Sequence, residues 1–162
     1  MRTTFTAVLL ILTSAAFADP LNDLEFSDFP VSSAYRGKTV LPNWRDKDAA
    51  LFRTRITNAM RTGSNFAGHY VVITIGCGSG GCRLVLIADA RNGKLFSFPA
   101  SGEEYQYLNL LYELRSNLIK TRYAQEGKCI RQDFEWANNV AVALQKTTIG
   151  SEDDCLSAPQ WK

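Results

Sequence analysis

Residues Asn65-Phe-Ala-Gly-His-Tyr-Val-Val-Ile-Thr-Ile-Gly-Cys-Gly-Ser-Gly-Gly-Cys82 constrain this chain more than any other stretch. They set the sole histidine, His69, at the entry of a β-branched apolar run and close that run with a glycine-rich loop between two cysteines. Tyr70 to Ile75 fits a buried pleated strand, and so does Leu84 to Ala88 beyond the loop. The spacing predicts a β-hairpin whose end, Cys77 to Cys82, is closed covalently.

Residues 1–18 carry one charge, Arg2, then the apolar stretch Ala7-Val-Leu-Leu-Ile-Leu12, then Ala16-Phe-Ala18 before Asp19-Pro20. That order predicts a cleavable secretory signal peptide. A membrane anchor is the competing reading, but the apolar stretch falls far short of the roughly 20 residues that span a bilayer. The chain from Asp19 to Lys162 has 17 basic against 16 acidic side chains, a formal charge of +1. Such a balance argues neither for nucleic acid nor for an anionic membrane surface as partner. The expectation is one domain, periplasmic or secreted, with no membrane insertion after cleavage.

All four cysteines follow Asp19, and an even count in an exported chain predicts disulfides. Three pairings are open, and proximity favours Cys77 with Cys82 and Cys129 with Cys155. On the chain-entropy model these contribute about 2 and about 3.5 kcal/mol. The ligand spacing is wrong for structural zinc, and His69 would be its one imidazole. The spacing of Cys77 and Cys82 is also not that of a Cys-x-x-Cys redox pair. No cofactor and no metal are expected.

Residues 19–45, with Pro, Ser, Asp and scattered aromatics, read as an extended arm over a domain formed by 46–162. From Asp46 to Thr62 the period becomes helical: Phe52, Ile56, Ala59 and Met60 share a face, Asp46 can cap the start, and Gly63 suits a left-handed end. Arg53, Arg55 and Arg61 then form a solvated face. Beyond Gly63 the pattern is strand and turn: Asn92-Gly93 marks a hairpin followed by Lys94 to Phe98, which Pro99 stops. Leu118 to Tyr123, Arg131 to Trp136 and Val140 to Lys146 follow, with Ala137-Asn-Asn139 as a turn. Residues 105–115 fit a helical face or an alternating strand, and the strand is preferred because it completes a meander. The fold class expected is α+β: one N-terminal helix packed on an antiparallel meander of five to seven strands, stapled by disulfides.

Phe52-x-Thr-Arg55, Gly63-x-Asn-Phe-Ala-Gly-His-Tyr70, Gly76-Cys-Gly78 with Cys82, Asp89-Ala90 with Asn92-Gly-Lys94, and Phe134-Glu-Trp136 resemble a family of small exported bacterial proteins. The resemblance spans about Phe52 to Leu144 and implies no particular activity. Where that pattern has one or two residues between the cysteines, this chain has Gly78-Ser-Gly-Gly81.

His69 can act as a general base, and Ser79 with Asp89 could complete a hydrolase triad. No Gly-x-Ser-x-Gly elbow is present, and Ser79 would have to act from within a disulfide loop. The simpler expectation is an imidazole that hydrogen-bonds locally and orients the turn before Tyr70. The glycine loop resembles an anion cradle, but lacks the Gly-Lys-Ser/Thr ending of a P-loop, and a tight stapled turn accounts for its glycines. Glu103-Glu104 and Glu152-Asp153-Asp154 read as solubilising charge. The function expected is a non-enzymatic binding protein of the inhibitor or immunity type, directed at a toxin or wall hydrolase as protein partner. Its candidate binding residues are His69, Ser79 and Gly80; the alternative is a small periplasmic hydrolase centred on His69.

Overall fold

A computed structural model describes residues 23–45, 47–78 and 81–157. The predicted signal peptide, the Asp46 cap, and Ser79 and Gly80 lie outside the described residues.

Strand β1 (Tyr70–Gly76) alternates its side chains between two cores. Val71, Ile73 and Ile75 join one, while Tyr70 and Val72 join the other. A strand buried on both faces has little use for polar residues, which is why this stretch is almost continuously apolar. It pairs antiparallel with β2 (Arg83–Asp89), and β2 with β3 (Leu95–Ser97), in the order β1-β2-β3. A second antiparallel sheet follows in the order β4 (Gln106–Tyr112), β5 (Leu118–Gln125), β6 (Lys128–Ala137), β7 (Val140–Ser151). Residues 105–115 therefore contribute a strand. Asn138 and Asn139, at φ 53° and 66°, form the left-handed two-residue turn that joins β6 to β7.

The expected single meander is instead two sheets of three and four strands. The break lies between Ser97 and Gln106, where Pro99 has no N–H for a ladder and the buried Phe98 and Ala100 turn into the space between the sheets. Inward residues of both sheets, among them Val72, Ile87, Ile119, Phe134 and Trp136, make one continuous core.

The expected helix is also divided, into α1 (Lys47–Leu51) and α2 (Arg53–Arg61), with Phe52 between them at φ −106°, ψ 17°. No proline or glycine in 46–62 marks that break. The predicted face is nonetheless the packed one: Ile56 and Met60 are fully buried against Val71, Ile73 and Ile75, with Phe52 partly buried beside them. Burial of that size is worth about 2 kcal/mol per side chain. Gly63, at φ 85°, ends the helix with its N–H on the Met60 carbonyl.

The layers are thus α2, the three-stranded sheet and the four-stranded sheet. The chain before α1 runs along their edge, with Val31 N–H on Arg115 O, Tyr35 N–H on Gly68 O and Val40 N–H on Ala90 O. Disulfides join Cys77 to Cys82 and Cys129 to Cys155 at Cα separations of 5.2 and 5.3 Å. The second ties the short helix α3 (Glu152–Leu156) to β6. Among the described residues no helix is long and apolar enough to cross a membrane.

Candidate functional site

The Asn65–Tyr70 segment is a tight turn whose backbone groups are used almost completely. Asn65 and Phe66 N–H both donate to Tyr70 O, Tyr70 N–H to Phe66 O, Gly68 N–H to Leu114 O, and Ala90 N–H to His69 O. The Asn65 side chain accepts from Val72 N–H at 2.9 Å. Phe66 is fully buried. Gly68 sits at φ 78°, and a Cβ there would lie 2.6 Å from the Ser33 carbonyl, so only glycine lets the preceding chain approach this turn.

His69 leaves this turn with its ring 4.1 Å from that of Tyr70. Its Nε2 is sealed from solvent without a hydrogen-bond partner, 3.9 Å from Asp89 Oδ2. The imidazole therefore does not orient the turn through a hydrogen bond, contrary to the sequence expectation; the backbone and Asn65 do that. The reason is on Asp89. Its carboxylate, almost fully buried at the end of β2, accepts from Arg91 N–H and Nε–H on Oδ1, and from Arg91 Nη2–H and Asn92 Nδ2–H on Oδ2. Four donors occupy the roughly four acceptor positions of a carboxylate, and none remains for His69.

Charge states follow from this arrangement. Burial lowers the His69 pKa below its ordinary 6.5, the positive charge of Arg91 lowers it further, and Asp89 opposes both. His69 is neutral at physiological pH. Burial by itself would raise Asp89, but the hydrogen bonds and charge of Arg91 outweigh it and hold the carboxyl below its ordinary value. Arg91 is raised in return, chiefly by its side-chain bonds to Asp89.

The exposed part of the His69 ring lines a cleft of about 640 Å³, which also takes in Ser32, Ser33, Arg91, Asn117, Trp136 and Asn138. The cleft therefore draws on the segment before α1, the turn before β1, the β2–β3 connection and the end of β6. Tyr70 and Trp136 are stacked edge-to-face at 5.4 Å beside it. Among the described residues the Trp136 indole N–H has no hydrogen-bond acceptor; the rings of Tyr70, Phe96 and Phe66 pack edge-to-face with the indole at 5.4, 5.8 and 6.4 Å.

His69 and Asp89 are thus brought together, whereas Ser79 and Gly80 lie outside the described residues. Their described neighbours Gly78 and Gly81 lie beyond the far end of β1, roughly 20 Å away at the rise of a seven-residue strand. Sequence reading missed Arg91, Asn117, Trp136 and Asn138 as neighbours of His69. The first was within reach, because an Asp followed two residues later by Arg and three later by Asn is the pattern of a side-chain-capped turn. Among the described residues no group of three or more His, Cys, Asp or Glu side chains could hold a metal ion. Comparison of the chain with protein-family models, curated proteins and solved structures gives no match.

Proposed function

We propose that this is an exported binding protein without turnover of its own, which uses the cleft beside His69 to hold a group belonging to a protein partner. The saturation of Asp89 carries this reading. A catalytic histidine needs an orienting acceptor and a nucleophile within hydrogen-bond reach. The carboxylate nearest His69 is fully engaged elsewhere, and the buried nitrogen facing it has no partner. A rigid, polar concavity suffices for recognition.

Export is supported by the signal-type sequence of residues 1–18 and by two disulfides. Kinship with small exported bacterial proteins is part of the same proposal, and so is an inhibitor or immunity role against a toxin or wall hydrolase, an analogy of size and stapled β-rich build. Ser79 and Gly80 remain further candidate contact residues for that partner. Screening ester, peptide and glycan substrates tests the reading. The expected result is no turnover that depends on His69; turnover abolished by His69→Gln at unchanged stability would replace it with the hydrolase.

A further inference from the structure

We propose that the cleft beside His69 takes a carboxylate, received by Arg91. The inference rests on that cleft being the recognition site and adds the class of group recognised there. Among the described residues Arg91 is the one formally charged side chain lining the cleft. Its side chain is 51% exposed, whereas that of the Asp89 holding it is 3% exposed. Asp89 takes Nε–H and one Nη2–H, which leaves three of the five guanidinium donors unused by that pair.

An arginine free on its stem loses rotamer freedom when it captures a ligand. Arg91 has already lost that freedom on folding, because a buried carboxylate clamps it from behind. Burying a carboxylate is costly, and Asp89 spends nearly all of its hydrogen-bonding capacity on Arg91 and its turn. The result is a planar, pre-aimed fork of the geometry that matches a carboxylate. The other polar lining residues, Ser32, Ser33, Asn117 and Asn138, are uncharged, so among the described residues no anion on the wall competes for Arg91. Because the imidazole beside it is neutral, Arg91 is the one cationic group that the described residues present to the cleft, and with Asp89 already balancing part of its charge it suits a monoanion better than a phosphate dianion.

Such a carboxylate comes from the terminus or an acidic side chain of a partner polypeptide, or from a free small acid. Benzoate and its neutral counterpart benzamide, titrated into the isotopically labelled protein, separate charge recognition from ring binding. Benzoate is expected to shift the Arg91, His69 and Trp136 indole resonances at millimolar concentration, with benzamide about tenfold weaker. Arg91→Gln should remove that preference. Because this variant strips a buried carboxylate of its cation, Asn138→Asp provides a second arm. Asn138 is exposed in a left-handed turn that aspartate tolerates, and an anion there should weaken benzoate severalfold and leave benzamide unchanged. Acetylated peptides with a free terminus, with an amidated terminus, or amidated with one glutamate distinguish the sources; benzoate binding without peptide binding assigns a free acid. Equal binding of benzoate and benzamide, no shift from either at tens of millimolar, or benzoate affinity indifferent to Asn138→Asp overturns the carboxylate assignment. None of these outcomes bears on turnover, whose detection would overturn the binding reading separately.

Discussion

The two ends of β1 are both turns with left-handed glycines, and they are held by different means. At the far end, Cys77 N–H donates to Cys82 O and a disulfide closes the chain over six residues. At the near end no disulfide is present; the turn from Asn65 to Tyr70 is held by the buried Phe66 ring, by backbone bonds to Glu113 and Leu114, and by Asp89 organising the neighbouring connection. A covalent staple fixes a hairpin with little help from its surroundings. The non-covalent end gathers several chain segments, and the cleft beside His69 lies where they meet.

The contrast breaks most readily at Phe66. Removing this ring should cost about 4 kcal/mol in Phe66→Ala, because it is fully buried between the sheets and meets Tyr70, Tyr112 and Trp136. Urea denaturation reads this directly; a loss below about 1 kcal/mol would mean the near end does not depend on its packing. Replacing Cys77 and Cys82 together by serine should cost less, about 2 kcal/mol, since the loop closed is short. In that variant the backbone resonances of Arg83 and Leu84 should move while those of His69 and Arg91 stay in place. Comparable changes at both ends would show that β1 couples them.

The smallest effect sharpens the comparison at His69 itself. At pH 8, His69→Gln should cost less than about 1 kcal/mol, because no side-chain hydrogen bond is lost. Lowering the pH changes this. The imidazole binds its proton less readily in the folded chain than the ordinary value of 6.5, so the unfolded chain takes up the proton first. The His69 contribution to stability should be full above 6.5 and decline as the pH falls from there towards the lower folded value, then level off. The variant should lack that decline. With a single histidine in the chain, the difference between the two denaturation midpoints across this window isolates His69, and parallel curves would place the ring in an environment that does not disfavour its charge.

Much of the local structure was legible because it depends on neighbours in sequence. The apolar run at 70–75, the left-handed Gly63, the Asn138-Asn139 turn and both disulfide pairings follow from period, backbone freedom and proximity. The candidate site was legible in one residue only, His69, and the role expected of its ring was the wrong one. Whether an imidazole finds an acceptor depends on what else has claimed it, and Asp89 is claimed by Arg91 and Asn92 through a turn whose geometry no spacing displays.

By itself the sequence determined which segments pair as hairpins and which helix face is apolar, since a two-residue or 3.6-residue period is a property of the covalent chain. Tertiary structure alone decided that the strands divide into two facing sheets, that the helix breaks at Phe52, and that residues as distant as Ser32, Arg91 and Asn138 share one cleft. The reason is that a cleft is the space left where separate segments pack, and the shape of that space depends on all of them at once.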